Sequence, residues 1–202
     1  MVKVYYAPYA RSLRVLWTLE ELGDAYDGVR VQFPPKLNDP AYLDIHPLGQ
    51  IPTFVDGEVK LHESMAICEW LAERQLGNDL IVEAGRAGRT DYLQWLWFGE
   101  ATLMPPLGAL VRQTFGPEPG RSDILRDEAL AAFQERVGLL EQVLVGKAWL
   151  AADRFTLADI SVGYSLNLGT LFKLHEQYPP NVAAYFGRLR ERPAFQRAAA
   201  LA

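Results

Sequence analysis

Residues 49–64, GQIPTFVDGEVKLHES, decide the fold class. IPTFV and EVKLH are rich in β-formers and flank Asp56-Gly57, a pair that favours a two-residue hairpin turn. Pro52 stands at the entrance of the first strand, where a backbone N–H would ordinarily pair, so that end of the hairpin reads as an edge. The stretch closes on Glu63-Ser64 and runs into ESMAICEWLAERQLG, where Met65, Cys68, Leu71, Ala72 and Leu76 share one helical stripe and Gly77 is the stop.

Upstream, VKVYY (2–6) alternates as a strand does. SLRVLWTLEELG places Val15, Leu16, Leu19 and Leu22 on one helical face before Gly23, and VRVQF (29–33) reads as a second strand. Strand, helix and strand in that order predict a right-handed parallel unit. NDPAYLDI predicts a short helix with Asp39 as cap and Pro40 at its first position. The sum is βαβαββα, an open sheet with helices on both faces.

Downstream the β-rich pattern stops. NDLIVEAGRAG reads as a connector, followed by a long helix over 86–115 that Pro105-Pro106 bends or breaks. A helical stripe follows over 122–145, through Phe133, Val137, Leu140 and Leu144. FTLADISVGYSLNLGTLFKL is apolar on most sides and predicts a buried helix, with Thr156 and Asp159 as a capping box and Phe155 and Ile160 as a staple. A last helix over about 181–192 ends at Pro193. The expected division is an α/β domain over 1–77, a linker over 78–85 and an all-helical domain over 86–202.

A net charge of −5 argues against nucleic acid or an anionic membrane as partner. No apolar run approaches the roughly 18 residues of a membrane span. MVKVYYAPYA lacks the layout of a secretion signal, which predicts a cytoplasmic protein. Cys68 is the single cysteine, so an internal disulfide and a multi-thiolate zinc site are excluded. His46, His62 and His175 have no metal-ligand spacing, and solvated or structural roles account for them. No metal is expected.

The combination of Ile51-Pro52, Glu63-Ser64 and Thr156-to-Asp159, with RSLRVLWTLEELG near the start, resembles the cytosolic glutathione transferases of bacterial type, over the whole chain. That resemblance implies a thioredoxin-like first domain, an α-helical bundle as the second, and glutathione as co-substrate. It implies conjugation of the glutathione thiolate to a hydrophobic electrophile, with hydroperoxide reduction as a further activity, in a cytoplasmic homodimer. It also implies that the bond into Pro52 is cis and that the backbone of Ile51 pairs with the tripeptide, as in strand addition. Gln50 matches a position near the glycyl carboxylate; otherwise it is an exposed loop amide. Ser64 would hold the γ-glutamyl carboxylate and Glu63 the ammonium, and either reading is compatible with a helix cap.

The resemblance also implies a Ser or Tyr hydroxyl donor to the thiol near the end of the first strand, or just past it. Relatives often carry Ser where this chain has Ala10, and Tyr6, Tyr9 and Ser12 remain. Ser12 is the first choice, with an N-cap role as its alternative. Tyr6 is the second, with a packed strand tyrosine as its alternative. Tyr9 is assigned to the electrophile pocket, together with Trp97 and Met104, which seven-residue spacing puts on one helical face; core packing is the competing role for such residues. Ala10 keeps open a binding or regulatory protein that retains the fold without efficient turnover.

Overall fold

The computed structural model describes residues 2–75 and 77–201, and all of their side chains except those of Lys36 and Leu37. The chain forms two compact units, Met1–Ile81 with Arg190–Ala202, and Val82–Leu189.

The first unit contains β1 (Lys3–Tyr6), α1 (Ser12–Leu22), β2 (Asp27–Arg30), α2 (Pro35–Asn38), a 3₁₀ turn at Pro40–Asp44, β3 (Thr53–Asp56), β4 (Val59–Leu61) and α3 (Ser64–Arg74). The sheet order is β2-β1-β3-β4, with β1 and β2 parallel and the other pairs antiparallel. Side-chain alternation sorts the two faces. Val4 and Phe54, opposite each other in register, are buried, and Phe54 meets Trp70 of α3 edge-on at 5.2 Å. Tyr5 and Thr53, also opposite each other, face the 3₁₀ turn, where Tyr42 lies 5.6 Å from Tyr5 and hydrogen-bonds Thr53 Oγ1 at 2.8 Å.

Three local expectations are corrected. The second strand lies at Asp27–Arg30 instead of 29–33, because β1 supplies partners only to Tyr6, which pairs with Arg30. Beyond it stand Pro8 on one side and Pro34-Pro35 on the other, without N–H groups. The hairpin loop is Gly57-Glu58, one residue later than expected, with Asp56 paired to Val59 and Gly57 at φ +60°. NDPAYLDI does form a short helix with Asp39 at the N-cap and Pro40 first, but of 3₁₀ type and with no bond from the Asp39 side chain. Leu76, expected on the α3 stripe, lies outside the described residues.

In the second unit, α4 (Arg89–Trp97) passes through a π-helical segment (Phe98–Leu103) into α5 (Met104–Phe115). The helix widens ahead of Pro105-Pro106 instead of breaking, which accommodates residues that cannot donate and whose rings crowd the preceding turn. Then come α6 (Asp123–Val143), α7 (Leu157–Gly169) and α8 (Pro180–Glu191). α7 is buried on almost every side. Its Ser161 and Ser165 donate to the carbonyls of Leu96 (2.7 Å) and Gly99 (2.9 Å), in the region where the helix widens. The expected capping box is present: Asp159 accepts from the Thr156 N–H at 2.8 Å.

The C-terminal end departs from the expected division. Pro193 starts a further helix, α9 (Pro193–Leu201), because proline suits the first helical position as well as it ends a preceding helix. α9 packs on α1 in the first unit, so the helical unit does not extend to residue 202. Phe195 meets Trp17 edge-on at 4.8 Å, and Arg192 grips Glu21 through two bonds of 2.6 and 2.7 Å. Among the described residues, no helix is long and apolar enough to cross a membrane.

Candidate functional site

Three segments of the first unit converge: the β1–α1 turn, the approach to β3, and the start of α3. At the approach to β3, the Ile51–Pro52 bond is cis. The β1 ladder ends at Tyr5–Thr53 and the β4 ladder at Phe54–Leu61, so Ile51 lies beyond both. Continuing the β3–β4 register sets Pro52 opposite Glu63 and Ile51 opposite Ser64. The Ile51 side chain is buried with Ala7, Val31 and Tyr42, which anchors the residue while its backbone stays outside the ladders. Tyr42 O–H donates to the Gln50 carbonyl at 2.9 Å, and the Gln50 side chain is exposed.

At the start of α3, Glu63 has φ +68° and ψ 107°, a region that an L-residue occupies at a cost of about 1–3 kcal/mol and that clusters at binding sites. Its side chain is exposed, whereas Ser64 beside it is buried. The free N–H groups of the first turn give this end positive character. Behind it, Arg14 of α1 is fully buried and donates from Nη1 to Ser64 Oγ at 3.1 Å.

In the β1–α1 turn, Tyr9 adopts φ +60° and is 60% exposed. Ser12 is 0% exposed; its hydroxyl donates to the Ala7 carbonyl at 3.3 Å and accepts from the Ala7 N–H at 3.4 Å. Tyr6 is 8% exposed. Beside the turn opens a cleft of about 720 Å³ lined by Pro8, Arg30, Val31, Gln32, Phe33 and Asn38.

Residues 1–73 match the family model for the glutathione S-transferase N-terminal domain, and residues 103–193 the one for the C-terminal domain. Over 99% of its length the chain is 32% identical to glutathione S-transferase F10 of Arabidopsis thaliana, covering 97% of that protein. The chain belongs to the glutathione S-transferase family. A beta class glutathione S-transferase of Sphingomonas chungbukensis has a similar structure, with a TM-score of 0.84 at 28% identity, covering 98% of this chain and 97% of that one. A glutathione S-transferase of Methylobacillus flagellatus, solved with glutathione bound, has a TM-score of 0.86 at 25% identity, covering 98% and 99%. The first unit is therefore thioredoxin-like and the second is the helical domain of the family.

Of the residues singled out in the sequence, Gln50, Ile51, Pro52, Glu63 and Ser64 come together in this glutathione S-transferase. The thiol candidates separate by exposure. Ser12 braces the turn through Ala7, Tyr6 packs into the sheet face beside Gly28, and Tyr9 is the exposed residue of the three. Trp97 and Met104 do not share a face: Trp97 is 54% exposed and Met104 only 3%. The π-helical segment between them adds a residue to the turn and rotates Met104 into the core of the second unit. Among the described residues no cluster of three or more His, Cys, Asp or Glu could hold a metal.

Two features escaped the sequence reading. A lone arginine on a helix reads as a solvated charge, so Arg14 gave no signal. His46 and His62, sixteen positions apart, meet with their rings tilted by 51° and ring centroids 4.1 Å apart. The Leu48 N–H donates to His46 Nδ1 at 3.2 Å, and His62 Nδ1 lies 3.3 Å from Thr53 Oγ1. Burial first, then charged neighbours (His62 for His46, Lys60 for His62), lowers both imidazoles from 6.5, and Glu63 opposes this at each. The folded state thus binds fewer protons than the unfolded chain in the window below 6.5. This contribution to stability is present above that pH and is lost as pH falls through it. Thermal melts from pH 7.5 to 5.5 should show a smaller loss of melting temperature in His62→Gln than in the unmodified protein; equal slopes would contradict this linkage.

Proposed function

We propose that the protein joins the thiolate of glutathione to a hydrophobic electrophile. The observation that carries this reading is the convergence of an unpaired strand edge at Ile51 with the start of α3 at Glu63-Ser64. The cysteinyl unit would lie extended along Ile51, exchanging backbone hydrogen bonds with it. Ser64 and the first-turn N–H groups would take the γ-glutamyl carboxylate, Glu63 the ammonium, and Gln50 the glycyl end.

A cysteine thiol ordinarily titrates near about 8.5, so the site must favour the anion. Tyr9, in place of Ser12 or Tyr6, would donate its O–H to the sulfur, at the end of the turn where the dipole of α1 adds positive potential. The thiol proton leaves to solvent. The sulfur then attacks the electrophilic carbon, an S–C bond forms, and the leaving group departs with its bonding pair. Pro8 and Phe33 would supply apolar wall for the second substrate. The family supports a cytoplasmic homodimer; sedimentation of the native protein tests the assembly.

The direct test is retention on immobilised glutathione, followed by conjugation of a chlorodinitrobenzene. Retention with saturable turnover is the expected result. Retention without turnover, including with cumene hydroperoxide, would favour a binding protein, for which Ala10 speaks. Absence of both contradicts the reading.

A further inference from the structure

We propose that Arg14 is a positioning residue that fixes the direction of the Ser64 hydroxyl, and through it selects the α-carboxylate of the γ-glutamyl group. The inference rests on the assignment of Ser64 made above.

Arg14 lies in the first turn of α1, fully buried on a helix whose neighbouring Leu13, Val15, Leu16 and Trp17 are core residues. A guanidinium carries its charge permanently and only donates hydrogen bonds. Burying such a charge is costly, and an apolar side chain of similar volume serves packing as well or better. The charge therefore has a use other than packing, and the bond of 3.1 Å to Ser64 Oγ is one that reaches the start of α3.

Ser64 Oγ has one hydrogen to give and two lone pairs. The Arg14 Nη1–H occupies a lone pair, and because Arg14 cannot accept, the Ser64 hydrogen must point elsewhere. Ser64 is the first residue of α3, where the helix carbonyls point away toward the C-terminal end and the first-turn N–H groups open outward. A hydroxyl turned by Arg14 joins those N–H groups as a further donor, and a carboxylate is the ligand group that accepts from all of them. With a neutral residue at position 14 the hydroxyl rotates freely and no longer presents a fixed donor.

The test compares glutathione with 4-aminobutyryl-cysteinyl-glycine, which lacks only the α-carboxylate, by calorimetric titration of the intact protein. Arg14→Met should weaken glutathione about tenfold and the analogue less than about twofold. In a Ser64→Ala background, Arg14→Met should cost glutathione less than about threefold further, since the two act as one unit. Arg14→Lys, which keeps a donor and a charge, should recover part of the loss and serves on its own should Arg14→Met not fold. Equal weakening of both ligands, or additive losses with Ser64→Ala, would overturn the proposal. Should Ser64→Ala itself fail to discriminate between the ligands, the carboxylate assignment of Ser64 falls; discrimination by Ser64→Ala but by neither Arg14 variant removes the role of Arg14 alone.

Discussion

Replacing Asp159 by alanine is expected to destabilise the helical unit by about 3–5 kcal/mol, the cost typical of removing one partner from a buried charged network. Four groups converge on this carboxylate: the Leu150 N–H at 3.1 Å, the Thr156 N–H at 2.8 Å, the Thr156 hydroxyl at 3.2 Å and the Tyr185 hydroxyl at 2.9 Å. Alanine leaves these buried donors without an acceptor, and each stranded group costs about 1–3 kcal/mol where it cannot turn elsewhere. The same change removes the Asp159 half of the capping box of α7, the most deeply buried helix of the unit. Urea unfolding measures the loss, and a change below about 1 kcal/mol would contradict this account of α7.

The pH dependence of that loss has a definite sign. Burial pushes the Asp159 carboxyl up to about 6 from an ordinary 3.8. The folded state therefore holds this proton more tightly than the unfolded chain. Its contribution to stability is fully present below about pH 4 and declines as pH rises through 6. The advantage of the unmodified protein over Asp159→Ala should accordingly be larger at pH 4 than at pH 7.

The second large effect falls on catalysis. Tyr9→Phe should lower kcat about a hundredfold, equivalent to about 2.7 kcal/mol, while changing glutathione affinity less than about twofold. The apparent pKa of the bound thiol, read from thiolate absorbance, should rise toward about 8.5 in the same variant. Ser12→Ala removes a brace between α1 and the Ala7 backbone, so it should lower stability and leave the rate within about threefold. A large loss of kcat in Ser12→Ala, with Tyr9→Phe near normal, would return the thiol to Ser12.

The parts of the molecule that were legible in the sequence are those whose signal is local. The capping box of α7, the hairpin around Gly57 and the helix start at Ser64 each lie within a few residues of their own cues. The displaced second strand was not local: its bounds depend on where β1 runs out of partners. Pro193 carried two meanings, a stop for α8 and a start for α9, and only packing on α1 distinguishes them. In the site, the direction of the Ser12 hydroxyl depends on how the turn closes back onto Ala7, and the bond from Arg14 to Ser64 depends on α3 lying against α1. The pairing of His46 with His62 likewise exists only once β4 and the 3₁₀ turn are in place. Residue types and spacing therefore gave the cis bond into Pro52 and the helix start at Ser64, but not the exposures that separate Tyr6, Tyr9 and Ser12.

The central claim is that the edge at Ile51 and the acidic–hydroxyl pair before α3 together hold glutathione. Calorimetric titration of the full chain with glutathione, for the unmodified protein and for Ser64→Ala, tests it most directly. The account predicts saturable submillimolar binding that weakens at least about tenfold in the variant, a difference of about 1.4 kcal/mol. A flat titration of the unmodified protein up to about 10 mM, or equal affinities for the two proteins, would contradict it.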